Sequence, residues 1–445
     1  MHNKLPNHYF RRLPGLTLLA AATLALSACG GGGSDGDSTY NLGGTVSALT
    51  GSGLILKSNG QTLSVPASAT TFSFGEVSGS YSVTVLSQPS GQTCSVSNAS
   101  GSSSGTAVSS VAVVCRAYML YVADQGANAI AQFVVGSDGT LAAASTATVA
   151  TTYAPDAIVV SDDGAHAWVG FQDDNGISTY ATGSTGLLGT ASGSTHALST
   201  QDALALGVGG TSLYAAEYGA AEVSQFTVSS SGVLPTTPSN SVAAGVNPGA
   251  LAVTADGNHL YVVNTSASTI SGYSLNSSGV PTALTSNATT STSSYGTSPR
   301  GIAVSPSGGS LWVTLSASAK VVQYTVDAST GALTYAQSAA TGTTPRAIAV
   351  TPSGSYAYVV NYGSGTVSQY TLAGGSITPL STASVAAGTH PMSISISPDG
   401  AHAYVTNSGD NTISQYAIGS GGALTALSPA TVSSNGAGPV AAAVR

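Results

Sequence analysis

Four charged residues occupy equivalent places along this chain. Asp156, Asp202, Arg300 and Arg346 each follow the residue that introduces a short strand of small side chains: Pro155, Gln201, Pro299 and Pro345. Gly249, Met392 and Val440 complete the column, so four of its seven positions are charged in a chain that is only 6% charged. Guanidinium groups present planar forks of donors that match a carboxylate or another anion. Set beside two carboxylates, they form a polarised funnel suited to an anionic or sugar-like ligand. A second column closes the following strand and reads Asp124, Phe171, Glu217, Asn264, Leu315, Asn361 and Asn407, with His390 beside Pro391. Glu217 and His390 are the candidate general bases.

The elements that must position these columns repeat seven times between Met119 and Arg445. Each unit has a small-residue strand, a Gly turn, an aromatic residue, and a second aromatic twelve positions later. The pairs are Tyr121/Phe133, Trp168/Tyr180, Tyr214/Phe226, Tyr261/Tyr273, Trp312/Tyr324, Tyr358/Tyr370 and Tyr404/Tyr416. A period of about 46 residues with four strand signals per unit predicts a β-propeller, because no single unit can bury both its faces. Small residues in the first strand suit the crowded axis. Adjacent strands are antiparallel, so both columns are expected to emerge on one face of the ring. The repeat starts with a second strand and ends with a first one, which predicts a blade built from both termini. The aromatics are expected to pack between blades.

Before the repeat, residues 40–117 read as a small β-domain with alternating runs at Gly44–Ala48, Leu54–Leu56, Tyr81–Val85 and Val111–Cys115. The fold class is therefore all-β: a seven-bladed propeller over 118–445, preceded by a β-sandwich-like domain. Gly101–Gly105 matches the G-x-S-x-G pattern, but it lies in a Ser/Gly-rich turn with no helix to follow, so it is no nucleophile elbow. Asp173–Gly176 lacks the spaced acids of a calcium loop and reads as a turn. No metal site and no cofactor-binding motif stands out.

Residues 1–28 form a leader, with Lys4, Arg11 and Arg12 ahead of an apolar stretch from Leu16 to Leu26 that is too short to span a bilayer. Leu26-Ser27-Ala28-Cys29 resembles the bacterial lipobox, which implies lipidation at Cys29 and a membrane partner through that anchor. Gly30, in place of a retention Asp, favours the outer membrane of the cell envelope, and residues 29–39 make a flexible tether. Three of the 9 basic residues leave with the leader, so six remain against 17 acidic ones, a net charge of −11. That balance argues against a nucleic-acid partner. In an oxidising compartment the two remaining cysteines, Cys94 and Cys115, are expected to form a disulfide worth about 3 kcal/mol.

Tyr358-Val-Val-Asn361 and Tyr404-Val-Thr-Asn407, followed by Thr-Val-Ser-Gln-Tyr and Thr-Ile-Ser-Gln-Tyr, resemble YVTN-type repeats. Residues 119–445 are similar to the seven-bladed lactonase-like propellers, which include 6-phosphogluconolactonase. That resemblance implies a Gly-Pro-Arg-His motif at one innermost strand. Pro299-Arg300 and Pro345-Arg346 match its Pro-Arg, but Gly301 and Ala347 stand where the His would be, and the Asn-Glu pair after the second strand is missing. These departures favour an exported module that binds a small anionic or carbohydrate ligand or an envelope protein. A lactone hydrolase is the alternative.

Overall fold

The computed structural model describes residues 39–172, 176–183, 185–195 and 201–445, without the side chains of 194, 195, 201 and 202. The leader, Cys29, the tether up to residue 38 and the Asp173–Asn175 turn lie outside the described residues, as does the side chain of Asp202. Among the described residues the propeller comprises seven antiparallel sheets arranged as blades. Their innermost strands are Pro439–Val444 (blade 1), Pro155–Val160, Gln201–Leu206, Pro248–Val253, Pro299–Val304, Pro345–Val350 and Pro391–Ile396 (blade 7).

Blade 1 joins the two ends of the repeat. Its order is Leu141–Ala150, Ala129–Val135, Met119–Asp124 and, innermost, Pro439–Val444. Leu120 faces Val444, Tyr121 faces Ala443 and Val122 faces Ala442 in an antiparallel ladder. Met119 and Arg445 extend it by exchanging backbone hydrogen bonds of 2.6 and 3.0 Å.

The twelve-residue aromatic spacing has a geometric cause. In the hairpin between the second and third strands, Phe133 pairs with Leu120 and Gln132 pairs with Tyr121. The two aromatics thus fall on opposite faces of the blade, since neighbouring residues alternate sides. The first reaches forward: Trp168, Tyr214, Tyr261, Tyr358 and Tyr404 donate to Gly232, Gly279, Gly331, Gly422 and Gly139 on the next blade, at 2.6–2.9 Å. The second reaches back, with Tyr273, Tyr370 and Tyr416 donating to Ala243, Ala340 and Ala386. Burial pushes the Tyr273 and Tyr370 phenols up to about 12, so they stay protonated donors at any physiological pH. Each of these eight aromatics buries a large apolar surface and satisfies its polar end across a blade boundary, whereas Trp312 Nε1 and the Tyr324 hydroxyl are buried with no hydrogen-bond partner among the described residues.

The N-terminal unit packs a four-stranded sheet, ordered Thr71–Ser78, Thr39–Ser47, Val108–Ala117 and Gln92–Ser97, with the three-stranded sheet Gln61–Val65, Leu54–Ser58 and Thr84–Ser87. Leu42, Leu54, Leu56, Val111 and Val113 from both sheets share one core. A disulfide joins Cys94 to Cys115, which face each other across two strands of the larger sheet. In the Gly101–Gly105 stretch Ser103 turns back onto Thr106, a local turn.

Candidate functional site at the channel mouth

The innermost strands share an irregularity that decides where the first column points. Pro155 pairs with Phe171 and Ala157 with Gly170, so the ladder register skips Asp156 as an extra residue. The same shift skips Asp202, Gly249, Arg346 and Met392, and in blade 5 it skips both Arg300 and Gly301. These are β-bulges, which bend a strand and re-aim the bulged side chain. Asp156, Gly249, Arg300, Arg346, Met392 and Val440 together line a cavity of about 250 Å³ at one mouth of the central channel. Deeper in, the walls are apolar, formed by Ile158, Leu204, Ile302 and Ile348.

Asp156, Arg300 and Arg346 are all half-buried here. The Gln125 amide of blade 1 donates to Asp156 Oδ1 at 3.1 Å and to Gln172 Oε1 at 3.1 Å, bridging two side chains of blade 2. Arg346 lies over the ring of Tyr362, 5.8 Å from its centroid. Tyr362 in turn stacks on His390, with centroids 4.5 Å apart and planes 9° from parallel. Among the described residues Arg300 has no hydrogen-bond or ion-pair partner, which leaves its fork of donors for a ligand.

The second column lies at the same end of the blades, as expected, each member pairing with the residue that introduces the innermost strand, such as Asn264 with Pro248 and Asn407 with Pro391. Its polar members do not open on the mouth but are buried inside the blades, where the asparagines clamp neighbouring segments. The Asn264 amide donates to Thr269 and Ser271 on the next strand and accepts from Gly245 on the incoming linker, at 2.9–3.0 Å. Asn407 does the same with Thr412, Ser414 and Gly388, and Asn361 donates to Thr366 and Ser368. Glu217 fits this structural pattern: it is 5% exposed and accepts the Ser224 hydroxyl. It does not line the mouth and is poorly placed to activate water. His390 reaches the rim, exposed, but in a stack with Tyr362. Sequence reasoning missed Tyr362 and Gln125, although both follow a second-column residue directly, in Asn361-Tyr362 and Asp124-Gln125.

The sequence matches the profile described as "Lactonase, 7-bladed beta-propeller" over residues 66–201, 211–342 and 335–439. The chain belongs to this lactonase family. Structurally it is similar to a Bacteroides uniformis protein provisionally assigned as a 6-phosphogluconolactonase, at a TM-score of 0.65 and 19% identity, covering 74% of this chain and 99% of that one. It is also similar to a periplasmic gluconolactonase of Pseudomonas aeruginosa, at 0.63 and 18%, covering 74% and 98%. A Lactobacillus plantarum protein gives 0.62 and 20%, covering 74% and 98%. At these identities the likeness is one of fold. No curated protein sequence matches the chain.

The structure gives a physical reason for one departure of this lactonase-family propeller from the expected motif. A Cβ on Gly301 would sit 2.5 Å from the backbone carbonyl oxygen of Arg346, so no side chain fits there without displacing the neighbouring blade. The Gly301 N–H instead donates to Thr314 Oγ1 at 2.8 Å, and that hydroxyl bonds to the Arg346 carbonyl at 3.2 Å. Blades 5 and 6 approach too closely for a histidine at position 301.

Proposed function

We propose that this propeller hydrolyses the lactone of a small polyhydroxy acid at the Arg300–Arg346 mouth. The observation that carries this reading is the convergence of two guanidinium groups and one carboxylate, each raised on a bulge, in one cavity of a lactonase-family propeller. The volume of about 250 Å³ suits a single sugar-sized ring. Asp156, held by Gln125, takes a proton from water as the water oxygen bonds to the lactone carbonyl carbon. Arg300 stabilises the oxyanion that develops on the carbonyl oxygen. When the ring C–O bond breaks, the proton passes to the departing alkoxide and the product is an open-chain hydroxy acid. Its carboxylate leaves from the two arginines.

The test is hydrolysis of glucono-δ-lactone and its 6-phosphate, measured against the spontaneous rate. Arg300→Ala with Arg346→Ala is expected to lower kcat/KM by roughly 100-fold or more, the scale of losing an oxyanion donor, with little change in Tm. Lysine at both positions should restore only part of the activity, because a point charge does not reproduce the fork. Glu217→Gln should leave kcat within a few-fold of wild type, whereas a general base at that position predicts its loss. The proposal is overturned if the wild-type protein leaves both lactones at their spontaneous rate. A second reading is favoured by Gly301 and Ala347 standing where the family motif has His. In that reading the mouth binds the anion without turnover, and tight binding of gluconate by a protein inert towards the lactone would establish it.

We also infer export to the cell envelope on a lipid anchor, supported by Leu26-Ser27-Ala28-Cys29 after an apolar leader. Cys29→Ala is expected to move the protein from the membrane to the soluble fraction. Retention of that variant in the membrane would refute the anchor.

A further inference from the structure

The two arginines of the mouth differ in how they are held. Among the described residues Arg300 has no bonding partner, whereas Arg346 lies against a three-membered stack spanning two blades: its own guanidinium, the Tyr362 ring and the His390 imidazole. The backbone fixes both rings. The Tyr362 N–H donates to the Thr344 carbonyl at 3.0 Å, and Gly363 to Thr343 at 3.1 Å, pinning the turn after the second strand of blade 6. His390 has φ +52°, in the left-handed region that a β-region-preferring pre-proline position normally avoids. Its carbonyl accepts both the N–H and the hydroxyl of Ser408, at 3.1 and 3.0 Å, and Asp410 holds the preceding Thr389 N–H at 2.8 Å. The same left-handed pre-proline turn recurs at Asn247, Ser298 and Thr344, so it belongs to the repeat, and at position 390 it carries an aromatic ring. Here it turns the imidazole parallel to Tyr362.

We propose that Tyr362 and His390 are positioning residues for Arg346, and that His390 acts through ring stacking, not as a general base. The quadrupole of Tyr362 attracts the guanidinium on one side of the rim, and the imidazole, stacked on the phenol ring, limits its rotation. Arg346 is thereby kept aimed at the cavity while Arg300 stays mobile enough to follow a reacting oxygen. This inference rests on the mouth being a ligand site, but its principal test does not need turnover.

The test is the rate of phenylglyoxal modification at Arg346, followed by peptide mass spectrometry with Arg300 as the internal standard in the same molecule. Tyr362→Ala is expected to raise the Arg346 rate relative to Arg300 by about threefold, the population change that losing a partly exposed cation–π contact allows. His390→Ala should shift it the same way by a smaller factor, and His390→Phe should restore the wild-type ratio. On glucono-δ-lactone, His390→Ala should raise KM by about the same factor and spare kcat, while His390→Phe should match wild type in both. An unchanged Arg346-to-Arg300 ratio in both alanine variants overturns the proposal, as does a His390→Phe enzyme that binds lactone normally with kcat lost. His390 lies exposed on the rim, so its variants keep the test informative should Tyr362→Ala unfold. A wild-type protein without lactonase activity would overturn the function proposed above, while the modification ratios would still decide the role of the stack.

Discussion

Deleting Pro439–Arg445 is expected to destabilise the whole propeller instead of trimming one edge. The strand is the innermost member of blade 1 and the means by which the last repeat is joined to the first. Without it, Met119–Asp124 becomes an unpaired edge, although all six of its residues are buried in the intact ring. The deletion also removes Val444, at 5% exposure, from the core it shares with Leu120, Phe133 and Tyr404. Those residues belong to blades 1 and 7, so the loss strikes the interface between the ring's two ends. The ion pair of Arg445 with Asp162 at 2.6 Å contributes little by comparison, being exposed on both sides.

A gap in a closed ring is not a local defect. Each blade is stabilised chiefly by its neighbours, and an open ring has two blades with one neighbour each. The ladder and the buried side chains lost together are worth several kcal/mol, a large share of a domain's net stability of about 5–15 kcal/mol. For a domain of this size the corresponding fall in Tm is on the order of 10 °C or more. Calorimetry should show it in the main transition, and the peptide spanning Asn435–Arg445, added in trans, should recover part of it. A truncated protein melting at the wild-type temperature would mean the ring is closed some other way.

That closure was legible in the sequence because the repeat has a phase as well as a period. The fixed spacing of Tyr121 to Phe133 and its six counterparts marks one hairpin geometry, and insertions collect in the turns outside it. The first column was legible for a related reason: it sits at a constant offset from a proline in six blades and from Gln201 in the other. Its bulge was not, since an extra residue in a strand leaves no mark on a pattern of small side chains. The second column was misread because its offset was seen and its neighbours were not. Asn264, Asn361 and Asn407 each have a hydroxyl residue five and seven positions later, at Thr269/Ser271, Thr366/Ser368 and Thr412/Ser414. That coupling is the signature of an internal clamp. Leu315, with Lys320 and Val322 at the same offsets, shows the converse. Read this way, Glu217 with Ser224 belongs to the scaffold.

The same rule singles out Asp124, the clamp residue of blade 1. Its partners at these offsets are Ala129 and Ala131, which offer no hydroxyl. The linker glycine presses on it as in the other clamps: a Cβ on Gly436 would lie 2.4 Å from Asp124 Cγ, against 2.7 Å for Gly245 with Asn264 and 2.6 Å for Gly388 with Asn407. Asp124 is 0% exposed, and among the described residues neither carboxylate oxygen has a hydrogen-bond partner of good geometry. Burial drives its pKa up to about 7, with the nearby Ser434 hydroxyl offsetting only part of the rise.

The consequence for stability has a definite sign. The unfolded carboxyl titrates near 4, so between about pH 4 and pH 7 folding takes up a proton and stability falls as pH rises. Above about 7 the penalty is complete, at most about 4 kcal/mol for a shift of this size and less once the linker relaxes. Asp124→Asn removes the titration. It is expected to leave Tm nearly unchanged at pH 4 and to raise it by several degrees at pH 8, flattening the pH profile of the main transition. The added amide needs an acceptor, which Ala129 and Ala131 do not provide. Asp124→Asn with Ala131→Ser rebuilds the pairing of Asn264 with Ser271 and of Asn407 with Ser414, and should gain more than the single variant at pH 8. Were the single and double variants to melt with the same pH dependence as wild type, the carboxyl at the ring's seam would have to be ionised and solvated throughout, and Asp124 would not be the strained clamp described above.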